Sequence, residues 1–148
     1  MTDIKGFLKY KRELPKERNP AKRINDYKEI YKPFDPEKTN QQSARCMSCG
    51  VPFCHNSCPL GNNIPAFNNA VHTEEWEKAF QILNSTNNFP EFTGRICPAP
   101  CEEACVLGIN NDPVTIEYIE KTIAEKAFEK GWVKEEKGQS TGKKVAIV

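Results

Sequence analysis

Seven cysteines stand in two short groups whose spacing is typical of metal ligands. The first group runs from Cys46 to Cys58 with the pattern CxxCxxxxCxxxCP, and the second runs from Cys97 to Cys105 with the pattern CxxxCxxxC. The chain shows no secretory signal and no apolar stretch long enough to cross a membrane, so we expect a cytoplasmic protein. Structural disulfides are rare in that compartment, and an odd number of cysteines cannot pair completely. The sequence therefore predicts that these thiols bind metal.

Two kinds of metal centre compete for the cysteines. A structural zinc site usually takes one CxxC pair from each of two loops, and only one such pair is present, Cys46 and Cys49. Iron–sulfur clusters favour dense cysteine runs that end in Cys-Pro, such as the bacterial ferredoxin run CxxCxxCxxxCP. The first group differs from that run by two additional residues before its third cysteine. The spacing favours iron–sulfur, and the alternative is a zinc-stapled protein-interaction module.

The ferredoxin pattern also predicts how the cysteines divide, because its fourth cysteine ligates the other cluster. The first cluster would take Cys46, Cys49 and Cys54, and the second would take Cys58, Cys97, Cys101 and Cys105. This division leaves the first cluster one ligand short. Glu120 lies beside the apolar stripe of the last helix, where a carboxylate is costly to bury without a positive partner. It is the candidate fourth ligand of the first cluster, and the alternative is an interface glutamate paired with Lys or Arg.

No combination of Ser, His and Asp, or of Cys and His, indicates a catalytic site. His55 lies between two predicted ligands and His72 lies beside a helix end, where histidine more often supports a site than performs chemistry. We therefore predict no catalytic residues. Two clusters in one small domain would instead transfer electrons.

The elements that position these ligands are predicted to be helices, which makes the fold all-α. Apolar residues at helical spacing predict one helix from Ile64, capped by Asn63, a second through Trp76 to Leu83, and a third after Pro113 that ends at Gly131. Shorter helices are predicted over 21–30, 37–45 and 100–106. The first cysteine group and the segment 84–95 are predicted to be loops.

Charge and composition divide the chain into three parts. Residues 1–45 form a basic arm with a lead-in helix and hold 12 Lys and Arg against 7 Asp and Glu. Residues 46–131 form the predicted cluster domain, and 132–148 form a linker ending in VAIV, which is either the first strand of a further domain or an ordinary tail. The net charge of +1 and the absence of a basic stripe interleaved with aromatics argue against nucleic-acid binding.

Four segments carry a family resemblance: GFLKYKREL, CMSCGVPFCHNSCPLGNNIP, NNFPEFTGRICPAPCEEACV and PVTIEYIEK. Together they resemble the N-terminal iron–sulfur domain of the small (beta) subunit of glutamate synthase. The same module is similar to the N-terminal domains of dihydropyrimidine dehydrogenase and related NADPH-dependent flavin oxidoreductases. The resemblance implies an alpha-helical ferredoxin-like fold with two 4Fe-4S clusters, one of which is bound by three cysteines and a residue that is not cysteine. By its position after PVTI, that residue is Glu120.

The resemblance also implies partners. In the family, NADPH reduces an FAD bound by downstream domains, and electrons pass through the clusters to an FMN in the large (alpha) subunit, where glutamate is formed. VAIV would then begin a truncated FAD/NAD(P)-binding domain. We expect the chain to be a fragment that by itself binds neither FAD nor NADPH and is not catalytic.

Overall fold

The computed structural model describes residues 5–134, 138–139 and 141–146, and these residues form an all-α fold. Nine α-helices follow one another in the described part of the chain. They are α1 (Gly6–Lys9), α2 (Pro20–Arg23), α3 (Pro36–Ser43), α4 (Phe53–Ser57), α5 (Ile64–His72), α6 (Trp76–Asn84), α7 (Pro90–Ile96), α8 (Pro100–Glu103) and α9 (Ile116–Glu129). A 3₁₀ turn covers Val106–Ile109. Among the described residues, β pairing is limited to an isolated antiparallel bridge between Glu17 and Tyr31. The prediction of an all-α fold is confirmed.

The apolar core lies between α5, α6 and α9. Phe67 and Val71 of α5, Leu83 of α6, and Ile119 and Ile123 of α9 are all fully buried. On α5 and α9 the two named residues are separated by one turn, so that one face can be apolar while the other meets solvent. The three helices predicted from this spacing are confirmed, although Asn63 makes no side-chain capping hydrogen bond at the start of α5.

Helix α9 is the longest element, and its end follows the sequence signal. Gly131 has a φ of +68°, a left-handed conformation that glycine adopts without steric cost. The amide of Gly131 donates to the carbonyl of Phe128, and the amide of Trp132 donates to that of Ala127. The last carbonyls of the helix are thereby satisfied.

Helix α7 corrects the prediction that 84–95 is a loop. Pro90 occupies the first turn of the helix, where the missing amide proton of proline costs nothing. The helix packs on α9 through Gly94, which is buried. The sequence predicts that the proline interrupts the segment, whereas in the structure it begins a helix.

Three shorter predictions also need correction. The helix predicted over 21–30 ends at Arg23, since the carboxylate of Asp26 turns back to accept two hydrogen bonds from Arg18. The first cysteine group is not entirely loop, because α4 lies within it. The helix predicted over 100–106 ends at Glu103 and is followed by the 3₁₀ turn.

The N-terminal arm lies along the helical domain and is fastened to it at both of its ends. Gln42 of α3 accepts a hydrogen bond from the amide of Glu13 at 3.1 Å and donates to the carbonyl of Lys11 at 3.0 Å. Near the other end of the arm, the amide of Phe34 donates to the hydroxyl of Tyr118 on α9 at 2.8 Å.

The predicted strand 145–148 lies partly outside the described residues, which do not include 147 and 148.

Candidate metal centres

Three cysteines of the first group line one cavity together with a cysteine of the second group. Cys46, Cys49, Cys54 and Cys105 all contribute to its wall. The rest of the wall is largely apolar and includes Met47, Pro52, Phe53, Ile64, Pro65, Val106, Leu107, Val114 and Ile116. Cys46 lies close enough to the other three for their thiolate charges to interact. We call these four residues the first ligand group.

Local backbone structure explains how the first ligand group assembles. Cys46 lies three residues beyond the end of α3, and its amide donates to the carbonyl of Ser43. Ser48 has a φ of +51°, which turns the chain between Cys46 and Cys49. Cys54 lies on α4. Cys105 has left α8, and its extended backbone (φ −65°, ψ 120°) leads into the 3₁₀ turn whose residues line the same cavity.

The remaining cysteines gather around Cys101, which is buried on α8. Burial is the largest cause of the raised pKa of the Cys101 thiol, and the carboxylates of Glu120 and Glu102 and the side chains of Cys58 and Cys97 are near enough to add to it. Of these, Glu102 is already bound to Arg12. Helices α4 and α8 are joined here, because the hydroxyl of Ser57 donates to the carbonyl of Pro100 at 3.1 Å. We call Cys58, Cys97, Cys101 and Glu120 the second ligand group.

Glu120 is held in place by a buried amide. The side chain of Asn62 donates from Nδ2 to Glu120 Oε1 at 3.0 Å, and Asn62 Oδ1 accepts from the hydroxyl of Thr86 at 2.8 Å. Nearby, the side chain of Asn87 donates from Nδ2 to the hydroxyl of Thr93 at 2.8 Å. Burial raises the pKa of Glu120 to about 7, against the opposing effect of its hydrogen bond to Asn62. The carboxylate is therefore held in position by Asn62, and no Lys or Arg among the described residues forms an ion pair with it.

The structure groups the predicted ligands differently from the sequence-based division. Cys46, Cys49 and Cys54 stay together as predicted, and so do Cys58, Cys97 and Cys101. Cys105 and Glu120, however, exchange groups. Among the described residues the hydrogen-bond partner of Glu120 is the neutral amide of Asn62, and no Lys or Arg pairs with it. Ligation by any of these residues stays a prediction.

The electrostatics of the buried thiols fit a positively charged centre. Burial raises the pKa of Cys46 to about 12 and that of Cys54 to about 11, so these thiols stay protonated at neutral pH without a cation. Metal ligation requires thiolates, and a bound metal offsets the cost of burying them. Soft sulfur donors select iron–sulfur clusters, zinc or copper(I) among biological metals. Within the described residues, no three His, Cys, Asp or Glu side chains already stand in the arrangement that one bound metal ion would need.

Sequence reasoning missed the polar residues that support these groups. Asn62 is 1% exposed. Its side chain contacts Glu120, and its main-chain carbonyl contacts His55. Arg45, beside Cys46, is completely buried. Nothing in the local sequence distinguishes Asn62 from Asn63. Arg45 carries a weak signal. Arginine is rarely buried, so its position directly before a predicted ligand is unusual.

The two histidines have partners in the structure. His55 Nδ1 lies 2.9 Å from the carbonyl of Asn62, and His72 Nδ1 lies 3.1 Å from Asn40 Oδ1. His72 thus joins α5 to α3, far along the chain from either cysteine group.

None of the helices in the described ranges has the length and apolar character that crossing a bilayer demands.

Comparison with known proteins finds one matching family and several close relatives. The sequence model described as dihydropyrimidine dehydrogenase domain II, 4Fe-4S cluster, matches residues 23–132. The "Glutamate synthase [NADPH] small chain" of Mycobacterium tuberculosis is 56% identical over 150 residues, which cover 100% of this chain and 31% of the relative. The protein of the same name from Bacillus subtilis is 48% identical, over 97% of this chain and 31% of its own length. A "Glutamate synthase [NADH]" of Schizosaccharomyces pombe is 47% identical, over 98% of this chain and 7% of its own length. The chain therefore spans about a third of the bacterial small chains that it matches.

Proposed function

The chain belongs to the family of the 4Fe-4S domain II of dihydropyrimidine dehydrogenase, and from that premise we propose that it is an electron-transfer domain holding two 4Fe-4S clusters. The observation that carries the proposal is the assembly of eight candidate ligands into two groups of four. The first ligand group would hold one cluster and the second ligand group the other. A 4Fe-4S cluster supplies reversible transfer of single electrons at a potential set by its ligands and surroundings.

The surroundings of the first ligand group suit this role. Its cavity is formed mainly by apolar side chains of α5, α9 and the 3₁₀ turn, including Ile64, Leu107 and Ile116. Leu107 is 5% exposed, and Ile64 and Ile116 are each 1% exposed. Such a wall keeps water from the thiolates and lowers the local dielectric constant, which controls redox potential.

The second ligand group has a different chemical character. Glu120 supplies an oxygen donor that Asn62 orients by a hydrogen bond. Outer hydrogen bonds of this kind commonly fix the orientation of a ligating carboxylate. Cys97 Sγ also accepts a hydrogen bond from the amide of Ala99 at 3.4 Å. The chain thus provides two centres that differ in donor type.

The finer proposal concerns the full-length protein. We infer that this chain is the cluster-bearing part of a glutamate synthase small subunit that relays electrons from NADPH-reduced FAD toward the FMN of the large (alpha) subunit. The names and full-chain coverage of the bacterial relatives support this inference. The division into an arm (1–45), a cluster domain (46–131) and a linker leading to an FAD/NAD(P)-binding domain (132–148) forms part of the same proposal.

Metal analysis of anaerobically purified chain tests the central claim. We expect about eight irons and about eight acid-labile sulfides per chain, because each of the two centres contributes about four of each. Reduction with dithionite should produce two EPR signals. A preparation that contains zinc without iron would establish the alternative, a zinc-stapled interaction module.

Replacing Glu120 by alanine should perturb the second centre alone. The substitution removes the oxygen donor of the second ligand group, so the EPR signal of that centre should shift or disappear while the other signal is kept. Glu129→Ala provides the control, because this carboxylate lies on the same helix with 71% of its side chain exposed. Ligation by Glu120 is refuted if both variants give the spectrum of the unmodified protein.

A further inference from the structure

Arg45 is a buried cation whose hydrogen-bond partners carry no net charge. Its side chain is among the largest that are fully buried in the structure, with 0% of the residue exposed. Nε donates to the carbonyl of Tyr10 at 3.1 Å, Nη1 to that of Pro113 at 2.8 Å, and Nη2 to that of Asp112 at 2.6 Å. These bonds use three of the five guanidinium N–H groups, and no carboxylate among the described residues forms an ion pair with the charge.

An uncompensated buried charge is costly, and the surroundings of Arg45 only partly reduce that cost. The carboxylate of Asp112 attracts it, but that residue is exposed and makes no ion pair with Arg45 within the described chain. Arg12 repels it, although the Arg12 guanidinium is itself bound to Glu102. Cys105 of the first ligand group lies near enough that a thiolate there would also attract Arg45.

The position of Arg45 links its charge to the first ligand group. It precedes Cys46 in the chain, and it binds the carbonyls of Asp112 and Pro113. The next residue, Val114, lines the cavity of the first ligand group. The guanidinium is thus bound to the backbone directly before a residue of the cavity wall, and burial lowers the dielectric constant around it, which strengthens charge interactions.

We propose that Arg45 is the built-in counter-charge of the first ligand group and raises the reduction potential of the centre that this group holds. This inference rests on the proposed function. Four thiolates make the first centre anionic, and each electron it accepts adds one negative charge. A fixed positive charge nearby therefore stabilises the reduced form more than the oxidised form.

The surroundings of the second ligand group have the opposite sign. Glu102 and Glu117 both act on the carboxylate of Glu120 as negative charges. Arg12 is bound to Glu102, so its charge is already compensated there. Arg45 directly precedes Cys46 of the first ligand group, so we expect its charge to act mainly on the first centre.

Redox titration of the full chain, followed by EPR under anaerobic conditions, tests the proposal. Arg45→Gln removes the charge, and the midpoint potential of the first centre should become more negative while that of the second stays unchanged. Arg45→Lys keeps the charge, and the first centre should titrate close to the unmodified protein. Arg18→Gln is the matched control, because Arg18 is a partly buried arginine paired with Asp26 in the arm, and neither potential should move.

Each outcome decides the question. The proposal is overturned if Arg45→Gln keeps both signals with unchanged potentials, or if Arg45→Lys shifts the first centre as far as Arg45→Gln does. If Arg45→Gln does not assemble the first centre, the lysine variant alone decides: an unshifted potential supports the counter-charge, and a negative shift contradicts it. A chain without iron would refute the proposed function instead, before any variant is compared.

Discussion

Replacing Cys105 by alanine is expected to abolish the first centre and to leave the second one intact. Cys105 lies in the cavity of Cys46, Cys49 and Cys54, and its charge acts on both Cys46 and Cys54. The variant should therefore lose the same EPR signal as Cys46→Ala and retain about four of about eight irons. Iron analysis and EPR of the anaerobically purified chain measure both quantities.

The matched control is Cys97→Ala in the same sequence motif. This substitution should remove the other signal, since Cys97 lies near Cys101. The ferredoxin-based division predicts a different result, with Cys105→Ala and Cys97→Ala removing the same signal. Observation of that pattern would show that the spatial grouping of the thiols does not determine ligation.

The difference between the two divisions comes from the end of one short helix. Read as residues i and i+4, Cys101 and Cys105 would share a helix face and meet one centre. Helix α8 ends at Glu103, however, and Cys105 has an extended backbone that leads away from Cys101. Ends of short helices depend on tertiary packing more than on propensity, so a four-residue helix gives no reliable periodic signal.

The longer helices were predictable because their cause is local. Ala79 and Leu83 on α6, and Ile119 and Ile123 on α9, repeat with the helical period and are all fully buried. Burial of such a stripe is the main source of helix stability in a folded domain. The apolar pattern therefore predicts the helix that its burial stabilises.

The supporting residues were not predictable because their partners are distant in the chain. Asn62 acts through Glu120 on α9, and Arg45 acts through Asp112, Pro113 and Tyr10. A buried polar side chain is stable only where its hydrogen bonds are formed, and these bonds exist only after the fold is complete. Cysteine spacing could thus identify the centres but not the residues that hold and tune them.

Replacing Gly94 by alanine is expected to destabilise the domain and to release iron from the second centre. A Cβ atom at Gly94 would lie 2.7 Å from Cβ and 2.9 Å from Cα of Lys121, and neither atom can move without shifting α9. Overpacking of this kind costs about 1–3 kcal/mol. Without the clash, the same change in a helix would stabilise the protein by about 0.5–1 kcal/mol. A loss of stability would therefore report the close contact of α7 with α9.

The second centre should be affected most, because the two helices deliver two of its ligands. Cys97 directly follows α7, and Glu120 on α9 is adjacent to Lys121. The contact is reinforced by Glu29 of the arm, which binds Arg95 at 2.7 Å and the buried Lys121 at 3.1 Å. Moving α7 away from α9 would separate Cys97 from Glu120 and strain this ion cluster.

Urea unfolding and iron analysis of the Gly94→Ala variant measure the two effects, and Gly108→Ala provides the control. A Cβ at Gly108 would meet only Pro113 Cβ, at an ordinary 3.9 Å, so this variant should keep its stability and both centres. An unfolding midpoint for Gly94→Ala equal to or above that of the unmodified chain would show that α7 can shift without cost. Loss of the first EPR signal instead of the second would contradict the prediction. It would show that the packing of α7 on α9 supports the first ligand group, and that Cys97 and Glu120 tolerate a displacement of α7.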